Sequence, residues 1–243
     1  MIRKVVGIHA VIAAIKSGAG IRVLVRQGSL NQRLQEVVDL AHAHNVEVVR
    51  QNVETELVDQ GVLLETEMES FQSENRLTEL LSEAKARWQF LILDGVTDPR
   101  NFGACLRNAA SFGVHGVIVA KDKSAPFSEV AIKAASGGAS ITPVFQVTNL
   151  VRCMDKLKES GIWIVGTSLD EESEFLPSLD LTGPIALVMG AEAKGIRPIT
   201  ASRCDFLAKI PLQFPNLSLN VSVATGIGLY EVSRQRSLIR QHV

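Results

Sequence analysis

Hydrophobic and polar positions change period repeatedly along this chain. From Ile8 to Ile15 apolar residues recur at helical spacing, and the run stops near Gly18 and Gly20. Ile21-Arg22-Val23-Leu24-Val25 alternates with a period of two, as strands do. Leu30 to His44 puts Leu30, Leu34, Val37, Val38 and Ala41 on one helix face. Val46–Val49 and Gly61–Leu64 predict two further strands. Residues 1–70 therefore form a small α/β domain. The polar stretch from Asn75 to Arg87 carries neither Gly nor Pro, so the 71–87 linker is expected to be a short helical connector.

A second domain, 88–243, begins at Trp88. Short apolar runs predict strands over Phe90–Leu93, Gly116–Ala120, Thr142–Gln146, Ile162–Gly166, Ile185–Met189 and Phe206–Ile210. Helical patterns occupy Asn101–Phe112, Ser128–Ala135, Leu150–Ser160, Pro198–Cys204 and Val221–Arg236. Strands that alternate with helices predict an α/β fold with a mostly parallel sheet covered on both faces.

Three strings rich in Gly, Asn and Pro stand at the ends of such strands. The first runs from Leu93-Asp94-Gly95 through Asp98-Pro99-Arg100-Asn101-Phe102-Gly103 to Arg107, the second is Gly190-Ala191-Glu192-Ala193-Lys194-Gly195, and the third is Ile210-Pro211-Leu212 leading to Ser218-Leu219-Asn220. In open α/β sheets ligands bind outside the carboxyl ends of the strands, so three such ends predict one composite site. In the first string Asn101 suits a helix N-cap. Gly103 and Arg107 share a helix face, which leaves room for Arg107 to receive a phosphate or carboxylate. A surface arginine above a packing glycine fits the same pattern.

In the second string the glycines permit close backbone approach, and Glu192 between them is a candidate acceptor. A plain strand–loop turn has the same form, and the spacing is not that of a dinucleotide fingerprint. In the third, Ser218, Asn220 and Ser222 precede a helix with Ala224, Gly226 and Gly228, whose small residues let a backbone or a flat ligand come close. Hydrolysis by Ser218 is disfavoured. No Gly-x-Ser-x-Gly elbow is present, and His242 is the one histidine that follows.

Charge alters this picture in one respect. The net charge is −1, but residues 1–50 hold seven Lys/Arg against three Asp/Glu, 51–88 hold three against nine, and 89–243 hold fifteen against fourteen. A basic first lobe can touch phosphates, although a solvated face has the same composition. Cys105, Cys153 and Cys204 are spaced too widely for a metal pair or a disulfide framework, so reduced thiols in a cytoplasmic protein are expected. No apolar run reaches the roughly 18 residues that span a bilayer, and the first residues do not read as a signal peptide.

Taken in order and spacing, the three strings resemble the motifs of the SpoU branch of the SPOUT RNA 2′-O-methyltransferases. Gly7-Ile8-His9-Ala10-Val11 and Gln60-Gly61-Val62 resemble the opening and closing segments of that family's amino-terminal RNA-binding domain. The resemblance implies a trefoil-knotted α/β domain, a homodimer whose interface helps to build each site, and no metal. It implies S-adenosylmethionine held by backbone groups at Gly190, Ile210 and Leu219. Asn101, Arg107, Glu192, Ser218 and Asn220 match the family's polar active-site positions.

Within the family the likeness is to enzymes that methylate the ribose 2′-oxygen of a guanosine in large-subunit (23S) rRNA, with no DNA or membrane partner implied. A tRNA 2′-O-methyltransferase and a catalytically idle RNA-binding or ribosome-assembly protein are the alternatives. Asp59 stands where the family usually has His, and Gln213–Leu217 replaces a stretch that is usually rich in Gly and Ser.

Overall fold

A computed structural model describes residues 2–16, 18, 20–51, 60–67, 70–83, 87–170, 172–191, 194–214 and 218–240. The chain divides into two compact units, Met1–Glu69 and Ser70–Val243.

In the first unit β1 (Ile2–Val6) leads to α1 (Ile8–Lys16), β2 (Gly20–Arg26), α2 (Gln32–Ala43), β3 (Glu47–Gln51) and β4 (Val62–Glu67). The sheet order is β1-β4-β2-β3, in which only β2 and β3 run parallel. Helix α2 starts where Asn31 accepts the amide of Leu34, and it buries Leu34, Val37, Val38 and Ala41. These pack with Val11 and Ile15 of α1 and with Val23 and Leu64 of the sheet. Strand β1 is an addition to the elements expected from sequence. Its Arg3 and Lys4 interrupt the apolar run that would have announced it.

The second unit opens with α3 (Glu74–Leu81). The stretch expected to be a linker, 71–87, thus contains a helix docked on this unit. Leu77 is buried in one of its cores, and the Glu74 carboxylate accepts a 2.9 Å hydrogen bond from Lys156, which holds its pKa below the usual range.

There follow β5 (Gln89–Asp94), α4 (Pro99–Ser111), β6 (Gly116–Ala120), α5 (Glu129–Ala135), α6 (Gly138–Ile141), β7 (Val144–Val147), α7 (Leu150–Glu159), β8 (Trp163–Thr167) and β9 (Glu174–Phe175). Then come β10 (Ile185–Gly190), α8 (Pro198–Ala201), β11 (Phe206–Lys209) and α9 (Val221–Arg240). The sheet order is β7-β6-β5-β10-β8-β11-β9, and every pairing is parallel.

Successive strand residues feed opposite cores, as a sheet buried on both faces requires. Leu91, Leu93, Leu187 and Met189 face α4, α5 and α9, while Phe90, Ile92, Ala186 and Val188 face α3 and α7. Arg236 of α9 donates to the carbonyls of Trp88 and Gly183 and to the Gln89 side chain, which pins the last helix to the start of β5. All three cysteines are free, and burial pushes Cys105 to about 11 and Cys153 to about 12. Among the described residues no helix is long and apolar enough to cross a membrane.

Two expectations about α4 are corrected. Its N-cap is Asp98, which accepts the amides of Arg100 and Asn101 at 2.8 and 2.9 Å, with Pro99 starting the helix. A proline already fixed for helix and a carboxylate beside the positive helix end make Asp98 the better cap. Gly103, in turn, does not make room for Arg107. It is buried, and a Cβ there would overlap the Ala131 carbonyl oxygen and lie 2.7 Å from the Ala134 Cβ. The missing side chain lets the backbones of α4 and α5 meet at Gly103 and Ala131.

Gly103→Ala is therefore expected to cost about 3 kcal/mol, the upper end for an overpacked core. Urea unfolding measures it, and a cost below about 0.5 kcal/mol would show that the two helices can separate freely.

Candidate active site

The carboxyl ends of β8, β10 and β11 open on one cleft of about 630 Å³. That volume suits a small organic molecule. Thr167, Ser168 and Asp170 line it from the end of β8, and Gly190, Ala191 and Lys194 from the end of β10. Ile210 and Leu212 follow β11, and Ser218, Leu219, Val221 and Ala224 close the wall at the start of α9.

The second string folds back on itself here. Ala191 and Gly195 exchange backbone hydrogen bonds of 3.1 and 2.8 Å, with Gly195 at φ +60°. A Cβ at Gly190 would overlap the backbone of Gly195 and Ile196. The close approach that Gly190 permits is thus that of its own loop, and this approach shapes the cleft wall.

A buried ion pair fixes the loop to the sheet. Asp94 stands opposite Gly190 in the β5–β10 register, and its side chain is fully buried. It accepts the Arg197 amide at 2.9 Å and the Arg197 Nε at 2.6 Å. This joins the first string to the segment that follows the second. The Arg197 side chain remains 40% exposed, so solvent weakens part of the attraction.

The first string meets the third directly. Asn220 Nδ2 donates to Asn101 Oδ1 at 2.9 Å. Asn220 Oδ1 accepts from the Ser222 amide at 2.9 Å and the Ser222 hydroxyl at 2.6 Å, which caps α9. Because Asp98 caps α4, the Asn101 side chain is available for this contact. Behind it, Cys105 Sγ lies 3.4 Å from Thr225 Oγ1 in the buried α4–α9 interface.

Of the residues expected from sequence, Gly190, Ile210, Ser218 and Leu219 line the cleft, and Asn101 pairs with Asn220 beside Val221. Arg107 is exposed on α4 and is not part of the cleft wall. Its backbone packs beneath Gly138, where a Cβ would lie 2.8 Å from the Arg107 Cα. Glu192 lies outside the described residues, as do Asp59 and residues 215–217 of the altered loop. Thr167, Ser168, Asp170 and Arg197 were not anticipated. The first three follow the predicted strand Ile162–Gly166, so the rule about carboxyl ends, applied to every strand, would have found them.

Comparison with known proteins places these features in a family context. The profile of the SpoU rRNA Methylase family matches residues 89–230, and that of RNA 2′-O ribose methyltransferase substrate binding matches residues 4–72. The chain is 43% identical over 242 residues to the 23S rRNA (guanosine-2′-O-)-methyltransferase RlmB of Coxiella burnetii, covering 97% of this chain and 96% of that one. It is 44% identical over 238 residues to the protein of the same name from Shewanella oneidensis, covering 95% and 96%. Its fold is similar to that of the SpoU methyltransferase AviRb from Streptomyces viridochromogenes, crystallised in complex with AdoMet. There the TM-score is 0.77 at 24% identity, with 97% of this chain and 91% of that one covered.

Removing the guanidinium tests the loop anchor. Arg197→Ala is expected to lower stability by about 2 kcal/mol, since it strips a buried carboxylate of its cation while leaving one backbone donor. Arg197→Lys, which keeps charge without the Nε donor, is expected to recover part of the loss in urea unfolding. Equal stability of all three proteins would show that the pair does not hold the loop.

Proposed function

The chain belongs to the SpoU rRNA methylase family, and on that premise we propose that it transfers a methyl group from S-adenosylmethionine to the ribose 2′-oxygen of a guanosine in large-subunit rRNA. The names of relatives 43–44% identical over nearly the whole chain support the substrate. The observation that carries the site is the Asn101–Asn220 hydrogen bond, which unites the first and third strings beside a cleft lined by the second and third.

The cleft fits the cofactor in size and in a mainly apolar lining that also carries Asp170 and Lys194. Gly190, Ile210 and Leu219 would hold it through backbone groups, with Asp170 and Lys194 placed to meet its charged amino-acid end. When bound, it supplies a sulfonium methyl group already activated for attack. The chain's task is the ribose hydroxyl. Asn220 and Ser218 orient the sugar and Asn101 holds the Asn220 amide, while a role for Glu192 rests on the family resemblance alone. Arg107 stabilises negative charge as it develops on the 2′-oxygen. A guanidinium with a pKa above about 12 is a poor proton acceptor, so the role is electrostatic. Positioning of this kind contributes much of the rate.

The functional unit is a homodimer. Arg107 is exposed and away from the cleft wall of its own chain, which suits a site completed by a second copy. On α9 the exposed Val223, Ile227 and Tyr230 form an apolar stripe at i, i+4 and i+7. The amino-terminal unit binds rRNA, in keeping with its match to the substrate-binding profile and its basic first 50 residues. The trefoil knot of the family accords with the late strand β10 lying between the earlier β5 and β8.

Incubation with labelled S-adenosylmethionine and unmodified large-subunit rRNA, followed by mapping, tests this reading. One guanosine is expected to gain a 2′-O-methyl group. Arg107→Ala and Asn220→Ala are each expected to lower transfer by at least about a hundredfold. Mixed dimers of the two variants are expected to regain transfer, since one of their two sites keeps both residues. Transfer to tRNA in place of rRNA, or none to either, would overturn the assignment. Full loss in mixed dimers would place Arg107 and Asn220 of a single chain in each site.

A further inference from the structure

Asn101 and Asn108 lie two turns apart on α4 and therefore on one face. Both reach the start of α9. Asn101 accepts from Asn220, and Asn108 Nδ2 donates to the Ser222 carbonyl at 2.7 Å. Ser222 donates its amide and hydroxyl to Asn220 Oδ1. These contacts close a ring that runs from α4 through Asn101, Asn220, Ser222 and Asn108 back to α4. Within the ring the orientation of the Asn220 amide is set: Oδ1 faces Ser222 and Nδ2 faces Asn101. Turning it over sets a donor against the Ser222 amide and an acceptor against Asn101 Oδ1.

The ring packs directly against the next turn of α9. Gly226 lies one turn beyond Ser222, and a Cβ there would stand 3.4 Å from Asn108 Nδ2. A methyl group at that distance would be in ordinary van der Waals contact, so the half-buried Asn108 amide packs against this turn of α9 without requiring a glycine there. Gly228 is the tighter of the two glycines, with Leu187 of β10 at 3.3 Å from its added Cβ.

We propose that Asn108 is a positioning residue for methyl transfer. By holding the first turn of α9 against α4, it fixes the Asn220 amide that orients the ribose. Asn108 does not line the cleft, so it acts through Ser222 and Asn220 and not on the cofactor. The proposal rests on the methyltransferase reading above. It requires a donor at position 108. Asparagine supplies one, whereas an aspartate of the same shape would aim a carboxylate oxygen at the Ser222 carbonyl.

Asn108→Asp in the full-length protein tests it against labelled S-adenosylmethionine and rRNA. The wild type is assayed first, because its failure to transfer would overturn the methyltransferase reading and leave this proposal without a basis. Given an active wild type, kcat of Asn108→Asp is expected to fall about tenfold or more, as misplacement by an ångström does. The dissociation constant for S-adenosylmethionine is expected to stay within about threefold, well under the tenfold that 1.4 kcal/mol represents. Ser222→Ala removes only the hydroxyl contact to Asn220 and keeps the backbone links of the ring, so its kcat is expected to fall less than that of Asn108→Asp, and the losses are expected not to multiply in the double variant. Asn108→Ala, which removes the donor to the Ser222 carbonyl without placing a charge on α4, serves as a second variant if Asn108→Asp does not fold. Its kcat is expected to fall in the same way. Unchanged kcat in a folded variant, or a double variant whose losses multiply, would overturn the proposal. So would a loss of cofactor affinity equal to the loss of kcat.

Discussion

The parallel pairing of β5 with β10 is the constraint from which the site follows. It sets Asp94 opposite Gly190, so the first two strings leave the sheet at the same level and on adjacent strands. Asp94 then has a partner within reach in Arg197, and the loop between Gly190 and Arg197 is closed at both ends. A shift of one residue would move every apolar side chain of β10 to the opposite face. Leu187 and Met189 would leave one core while Ala186 and Val188 left the other. The chemistry at the strand end is therefore fixed by the packing of the strand.

A second constraint acts between helices. The first turns of α4 and α9 meet through asparagines, and each helix is capped by a residue of its own string, Asp98 in one and Asn220 in the other. Single hydrogen bonds of this kind contribute only about 1 kcal/mol each. Their value lies in direction. An amide bonded at both ends presents one face to a ligand, and such preorganisation lowers the cost of ordering a catalytic group when substrate binds. The cleft beside it carries less directional chemistry. Its walls are mainly apolar, with Met189, Ile196, Leu207, Ile210 and Leu219 among them, which suits a ligand recognised by shape.

Much of this was legible in the chain. Strands buried on both faces read as short continuous apolar runs, and β6 was placed at its observed bounds while β5, β8, β10 and β11 were placed to within a residue or two at each end. The three strings were legible because glycine, proline and asparagine mark the points where strands end. What stayed hidden depends on contacts between segments far apart in sequence. The cap of α4 was misplaced because Asp98 and Asn101 are both good capping residues, and only the packed helix shows which is used. At Gly103 ligand space and a packing contact fit the local pattern equally, because the neighbour that decides between them, Ala131, is 28 positions away. The pairs Asp94–Arg197 and Asn108–Ser222 span more than 100 residues each, and no spacing rule connects them.

The most direct measurement is a crystal structure of the protein with S-adenosylhomocysteine, the product that would remain after methyl transfer. The account predicts density for it in the cleft at the ends of β8, β10 and β11. Its sulfur would lie on the side nearest Asn101 and Asn220. An empty cleft at saturating concentration, or density bound elsewhere with those asparagines untouched, would contradict the account.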